Sequence, residues 1–311
     1  MADIVISEFM DQASVDALSA DFQVLYDPNL VDDPDGMASA VSDARGLIVR
    51  NRTQVTDGLL ARAGMLRVVG RLGVGLDNID LEACRERRIA VCPARGANDT
   101  AVAEYVITTA MVLLRGAYAF SGQVMAGAWP RQAAIGREIA GQHFGLVGYG
   151  AIARETARRA QALGASVLAY DPHLPADDPV WSPVTRASDL ETLLGAVDVV
   201  SLHVPLTPET TGLIDAEAIA RMKHDAILIS TARGGVVDED ALISALESGA
   251  LAGAALDVFV EEPLGAAAGA RFATCPNLVL TPHIAGVTVE SNVRVSAVTA
   301  DSVRAVLESG T

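Results

Sequence analysis

Gly145-Leu-Val-Gly-Tyr-Gly-Ala-Ile-Ala153, followed downstream by Asp171, is the stretch from which the fold of this chain is read. The apolar run Phe144 to Val147 predicts a buried strand, Gly148-Tyr149-Gly150 a tight turn, and Ile152 to Leu163 a helix. A second strand, Ser166 to Tyr170, ends at Asp171, about twenty residues beyond Gly150. Strand, glycine turn, helix, strand and terminal acid are the parts of a dinucleotide fingerprint in their required context. Gly148 permits the turn, Gly150 lets the backbone approach a pyrophosphate, and Ala153 is small enough for close helix–strand packing. The helix start offers free N–H groups and a positive dipole end to the phosphates. A carboxylate at Asp171 accepts hydrogen bonds from both ribose hydroxyls and repels a 2′-phosphate. Pro172 stands where a phosphate site wants Arg or Lys, so NAD is expected over NADP.

Composition narrows the rest. The 311 residues suit two domains, each with its own core. Half the residues are hydrophobic and the mean hydropathy is +0.32, yet no apolar run reaches the ~18 residues of a membrane span. The N-terminus enters a strand directly with no signal-peptide pattern, so a cytoplasmic protein is expected. Cys84, Cys92 and Cys275 form neither a C-x-x-C pair nor an even set, and read as reduced structural thiols. No metal site is expected. A net charge of −16 argues against nucleic acid, whose affinity comes from basic patches. Against that background an arginine cluster is informative.

Along the chain, short strands alternate with helical spacing. Strands are expected at Ile4 to Ser7, Phe22 to Tyr26, Gly46 to Arg50, Arg67 to Arg71 and Ile89 to Cys92. Helices are expected at Asp11 to Leu18, Thr56 to Ala63 and Asp80 to Arg87, and Asp32-Asp33-Pro34-Asp35-Gly36 is read as a turn. This alternation predicts a small doubly wound domain with a parallel sheet. Asp99 to Leu114 is a long, strongly apolar helix, read as a buried interdomain or interprotomer element. A nucleotide-binding fold then has strands near Phe144, Val167, Val199, Ile227, Ala254 and Val279, and a last helix from Val289 to Leu307 returns to the first domain. The expectation is an α/β protein of two doubly wound parallel-sheet domains. Residues 1–97 and 285–311 make a smaller flavodoxin-like substrate domain, and 98–284 a Rossmann NAD-binding domain.

Three segments follow strands of the nucleotide fold, where open α/β sheets place ligands: Ser230 to Gly235, Leu256 to Pro263 and Thr281 to Thr288. They carry an arginine, a choice of carboxylates and a histidine. Reduction of a 2-oxo acid needs such a set, with a cation for the carboxylate and a proton donor for the developing alkoxide. Histidine suits the donor, and a neighbouring carboxylate favours its charged form.

These segments, with Gly148-Tyr-Gly150 and Gly70-Arg-Leu-Gly-Val-Gly-Leu-Asp-Asn-Ile-Asp80, resemble the D-isomer-specific 2-hydroxyacid dehydrogenase family across nearly the whole chain. The resemblance implies that Arg233 grips the substrate carboxylate and carbonyl, that His283 is the acid/base, and that Glu262 rather than Glu261 pairs with it. It also implies that Asp257 lies near the nicotinamide carboxamide, and that Thr231-Ala232-Arg233 and the turn from His283 to Gly286 line the cofactor. Ala151 and Ile152 fall at the pyrophosphate turn. The N–H groups of Val74 and Gly75 look like the family's carboxylate nest. His203, with Val204 and Pro205, follows a strand and borders the adenine side; His143, His173 and His224 read as packing or surface residues.

Arg50 and Arg52 follow a strand of the first domain and are candidates for a second anionic group of the substrate, against a plain solvated loop pair. The Arg50-Asn-Arg-Thr53 loop and the N-terminal Ile4-Val-Ile-Ser-Glu-Phe-Met10 look similar to sulfolactate dehydrogenases of the family. The implied reaction is reversible hydride transfer between NAD and C2 of a small 2-hydroxy or 2-oxo acid, with (S)-sulfolactate first. Phosphoglycerate and glycerate/hydroxypyruvate remain alternatives, and an NAD-sensing corepressor-like protein is the alternative of another class. The chain ends soon after the final helix, so an extra regulatory domain is not expected. Resemblance of the Asp99–Leu114 helix and the arm after it to the family's dimer segment implies a homodimer.

Overall fold

The computed structural model describes residues 2–309, which divide into two units: residues up to Asn98 with those from Val287 onward, and Asp99–Gly286. In the first unit the elements run β1 (Ile4–Ile6), α1 (Gln12–Ser19), β2 (Val24–Tyr26), α2 (Pro34–Ala40), β3 (Gly46–Val49), α3 (Asp57–Leu60), β4 (Val68–Arg71), α4 (Leu81–Glu86) and β5 (Ala90–Pro93). The second unit holds α5 (Asp99–Arg115), α6 (Ser121–Met125), β6 (His143–Val147), α7 (Ala151–Ala162), β7 (Ser166–Tyr170), β8 (Thr185–Arg186), α8 (Leu190–Ala196) and β9 (Val199–Leu202). It continues through α9 (Ala216–Arg221), β10 (Ile227–Ser230), α10 (Glu239–Ser248), β11 (Gly253–Leu256), α11 (Ala266–Ala270) and β12 (Leu278–Leu280). The long α12 (Val289–Glu308) returns to the first unit.

The first sheet has order β2-β1-β3-β4-β5, and every pair in it is parallel. Its strands are covered on both faces, and their side chains sort by the period of two. Ile4, Ile6, Ile48 and Val68 face a layer containing Leu18, Val295, Val303 and Leu307, whereas Val5, Leu47, Val49 and Val69 face Met37, Leu60 and Ala83. α12 starts from a capping box in which Thr288 and Ser291 exchange side-chain bonds.

One expectation is corrected here. The acidic stretch read as a turn contains a helix start: Asp33 accepts the N–H of Gly36 at 2.9 Å and Pro34 occupies the first turn of α2. Proline at the first helical position after an Asp cap begins a helix rather than ending one.

The second sheet runs β12-β11-β10-β9-β6-β7-β8, again wholly parallel. Phe144, Leu146, Val199, Ile227 and Ile229 face one layer, and Val200, Leu202, Leu228 and Ala254 the other. The C-terminal part of the buried stripe of α5 packs within its own unit. Val106, Ile107, Ala110, Leu113 and Leu114 pack with Phe144, Leu146 and Ala153, sealing the sheet face beside α7. In both sheets the strand order reverses next to the first strand, between β1 and β3 and between β6 and β9. The crevice outside the carboxyl ends at such a reversal is where open α/β sheets bind ligands.

Candidate active site

At the reversal of the second sheet, Gly148 leaves β6 with φ +85°. A Cβ there would lie 2.7 Å from the His203 carbonyl oxygen, so the turn demands glycine twice over. α7 then begins at Gly150 with no side-chain cap and no acid in its first turn. By contrast α1, α8, α9 and α10 are capped by the carboxylates of Asp11, Asp189, Asp215 and Asp238. A Cβ on Gly150 would meet nothing within 4 Å. No described residue accepts the first-turn N–H groups of Ala151 and Ile152, which carry the positive end of the helix dipole.

Asp171 closes the turn from β7: one carboxylate oxygen accepts the N–H of Tyr149 and the other that of His173, each at 3.0 Å. Each oxygen keeps a lone pair for a further donor. Across the reversal, His203 follows β9 with Nε2 2.9 Å from the Ser201 hydroxyl, and burial pushes its pKa down to about 4. Val204 is half-buried and Pro205 exposed beyond it. At the end of β10 the hydroxyls of Ser230 and Thr231 are buried without a hydrogen-bond partner among the described residues. A glycine cradle, an uncapped helix start, a ribose-height carboxylate and two orphaned hydroxyls fit a dinucleotide.

His283 sits on the turn after β12 with φ +55°, a left-handed backbone that costs a non-glycine residue about a kcal/mol or more. Asp257, 1% exposed at the end of β11, holds that turn in place. Its carboxylate accepts the N–H of Ile284 and of Ala285 at 2.8 Å and the Thr281 hydroxyl at 2.6 Å, while its carbonyl accepts the N–H of His283 at 2.8 Å. Tyr105 of α5 extends the chain, with its hydroxyl 2.6 Å from that of Thr281; burial pushes the phenol up. Asp257 therefore supports the histidine from beneath. Gly286 follows the same turn.

Nδ1 of His283 lies 2.7 Å from a carboxylate oxygen of Glu262, whose other oxygen accepts the N–H of Phe259 at 3.0 Å. Both side chains are partly exposed, at 40% and 33%. This pairing orients the ring and leaves Nε2 to face outward. Arg233 follows β10, and its guanidinium donates to the Ala232 carbonyl at 2.6 Å. The next residue, Gly234, runs so close to the Phe259 carbonyl that a Cβ would lie 1.8 Å from it, which brings the Arg233 segment against the segment carrying Glu262. Arginine, imidazole and carboxylate are thus supplied by three adjacent strand ends.

In the first unit no described residue accepts the N–H of Val74 or Gly75, as a nest for an anion requires. Arg50 is half-buried and donates to the Asn292 carboxamide oxygen at 2.9 Å. Burial lowers its pKa, and the nearby Glu8 carboxylate acts in the opposite direction. Arg52 is exposed and ion-paired to Asp32. Residues that sequence reasoning passed over are Glu8, Asn292, Tyr105 and Thr281. Glu8 and Thr281 stand at strand ends, the one signal available for them; Tyr105 and Asn292 lie within helical patterns that carry none.

Residues 107–285 match the family model described as D-isomer specific 2-hydroxyacid dehydrogenase, NAD binding domain. The chain is 56% identical over 307 residues to an (S)-sulfolactate dehydrogenase of Chromohalobacter salexigens, covering 99% of each. It is 36% identical to a D-3-phosphoglycerate dehydrogenase of Synechocystis, covering 99% of this chain but 54% of that one, so the chain spans about half the length of that relative. Among solved structures, the TT0316 protein of Thermus thermophilus superposes with a TM-score of 0.87 at 33% identity, covering 98% of this chain and 97% of the other. The dinucleotide cradle, the histidine–carboxylate pair beside it and these full-length likenesses lead to one conclusion: the chain belongs to the D-isomer-specific 2-hydroxyacid dehydrogenases and is an NAD-dependent oxidoreductase.

Proposed function

We propose that the protein is an (S)-sulfolactate dehydrogenase, interconverting (S)-sulfolactate and sulfopyruvate. The observation that carries the choice of substrate is Arg50, a partly desolvated guanidinium that donates to a carboxamide, while the carboxylate near it, Glu8, is bonded to backbone N–H groups of the loop. A guanidinium whose neighbouring acid is committed to backbone N–H groups keeps donors for an anionic group on the ligand. The name of the full-length relative supports the same reading. Sulfolactate carries two anions, and the residues of the first unit supply groups for both: the nest at Val74 and Gly75 for the carboxylate, and Arg50 for the sulfonate. Arg52, tied to Asp32, contributes positive potential rather than a direct contact.

When bound, NAD supplies the hydride acceptor in oxidation and its reduced form the donor. The chain's own residues do the rest. Arg233 holds the carboxylate and polarises the C2 oxygen, and Nε2 of His283 takes the hydroxyl proton in oxidation and returns it in reduction. Glu262 fixes the ring through Nδ1 and stabilises the imidazolium that forms. Asp171 binds the adenosine ribose, with Gly148, Gly150, His203, Val204, Pro205 and the run from Thr231 to Arg233 around the cofactor.

The enzyme works in the cytoplasm as a homodimer, apart from nucleic acid and membrane. Among the described residues no single helix is long and apolar enough to cross a membrane. Tyr118, Met125, Trp129 and Ile135, on the arm after α5, are 68%, 83%, 75% and 72% exposed, and a second copy of the chain would cover them. A dimeric mass by light scattering is expected for the native chain and a monomeric one for Trp129→Glu.

Turnover of (S)-sulfolactate, 3-phosphoglycerate and D-glycerate, with NAD and NADP in parallel, tests the substrate. Sulfolactate with NAD is expected to have the highest kcat/KM by at least about tenfold. Preference for phosphoglycerate or glycerate would transfer the assignment to that acid, and no turnover of any 2-hydroxy acid would favour an NAD-sensing role. Arg233→Ala is expected to lose about 10²–10³-fold in kcat while still binding NADH.

A further inference from the structure

The carboxyl ends of β1 and β3 flank the order reversal of the first sheet, and a buried acid stands there. Glu8, 5% exposed, directly follows Ser7 at the tip of β1. One of its oxygens accepts the N–H of Arg50 at 2.8 Å and of Thr53 at 2.9 Å, and the other accepts the N–H of Arg52 at 3.1 Å. The rest of the loop is tied down as well. Asn78 donates to the carbonyls of Arg50 (3.2 Å) and Thr53 (2.7 Å), and the hydroxyls of Ser7 and Thr53 are 2.9 Å apart.

Loops at this position in open α/β sheets ordinarily turn their N–H groups toward a ligand. Here three of them turn inward onto Glu8. An incoming anion is therefore met by the Arg50 side chain, whose reach is set by the backbone that Glu8 fixes. A guanidinium has rotamer freedom to lose, and a loop already immobilised lowers what binding must spend on order.

We infer that Glu8 is a positioning residue for substrate selection, holding the loop from Arg50 to Thr53 so that the Arg50 guanidinium is presented to the anionic group at the far end of the substrate. It rests on the sulfonate reading of Arg50 given above. Glu8 acts through the loop backbone it bonds and through its charge beside the Arg50 guanidinium.

Glu8→Gln is the near-isosteric probe. Its carbonyl can keep the bonds to Arg50 and Thr53, but its NH2 meets the N–H of Arg52 donor to donor and displaces the loop. The variant is expected to raise KM for (S)-sulfolactate by about tenfold, with kcat held within about twofold and KM for NAD unchanged. Glu8→Ala is expected to raise it further. Thermal unfolding of each variant is measured alongside; a lower Tm with an unchanged sulfolactate KM would show a purely structural residue and overturn the inference. So would a kcat that falls in step with the KM rise. Arg50→Ala separates the two layers: if it leaves the sulfolactate KM unchanged, the reading of Arg50 itself fails. If it raises KM and Glu8→Gln does not, only the role of Glu8 fails.

Discussion

Replacing Asp171 by alanine is expected to reverse the cofactor preference, and the structure sets the size of the effect. Each oxygen of this carboxylate already accepts one backbone N–H, from Tyr149 and His173 at 3.0 Å, and has one lone pair left for a ribose hydroxyl. Two bonds to a charged acceptor contribute about 1.5–3 kcal/mol each in isolation, and neighbours that act together add incompletely. A loss of about 3 kcal/mol, on the order of 10²-fold in Kd for NADH, is the expected outcome. The gain for NADPH has two sources. Repulsion between a carboxylate and each unit of 2′-phosphate charge at about 5 Å is about 3 kcal/mol at an effective dielectric of about 20, and the substitution abolishes it. It also releases the N–H groups of Tyr149 and His173, which become donors to the phosphate. The ratio of NADH to NADPH affinity is expected to shift by at least about 10³-fold. Fluorescence titration with both cofactors measures it, with Asp171→Asn as the variant that keeps an acceptor and is expected to fall between. An NADH Kd that moves less than twofold in Asp171→Ala would refute the reasoning, because the ribose would then be held by other groups.

Two further substitutions probe the scaffold. Gly234→Ala drives a Cβ to 1.8 Å from the Phe259 carbonyl, backbone against backbone with no side chain free to yield; a loss of about 3 kcal/mol and a Tm lowered by about 6–12 °C are expected, and a drop under 2 °C by calorimetry would contradict the close approach. Burial holds His203 neutral in the fold down to about pH 4, against 6.5 for the free side chain, so between those values the unfolded chain binds a proton that the folded one refuses. Stability from this residue is complete above pH 6.5 and is lost as pH falls toward 4, by at most about 3 kcal/mol. Urea unfolding of wild type and His203→Gln at pH 4.5 and 7.5 checks the sign: the variant's pH dependence is expected to be shallower, and an identical one would refute it.

Most sheet strands were legible because parallel strands buried on both faces read as short apolar runs between turn residues, as Ile4 to Ile6 and Ile227 to Ile229 do; β8, two exposed polar residues at the sheet edge, was not. The helix at Pro34–Ala40 was not, because Asp-Asp-Pro-Asp-Gly supplies turn residues and helix-start residues in the same five positions, and only the fold decides between them. The His283–Glu262 pairing came through family resemblance, since nothing in the local pattern separates Glu262 from Glu261. The supports of the turn were hidden for a different reason. Asp257 is recognisable as a strand-end acid, but its bonds to Ile284 and Ala285 span 27 and 28 residues, and Tyr105 reaches Thr281 across 176. Contacts of that range are set by strand order, which no local periodicity encodes.

The bare start of α7 has a cost and a use. An aspartate at residue 150 would cap this helix as α1, α8, α9 and α10 are capped, steadying it over glycine by about a few tenths of a kcal/mol. It would also occupy the space in which a pyrophosphate belongs and repel it. The helix is left unfinished by its own sequence, and on the cofactor placement proposed above the dinucleotide is the group that would complete it. Cofactor uptake in this protein is therefore partly an act of folding: at a hundredfold excess over Kd it adds about 2.7 kcal/mol to the stability of the whole chain.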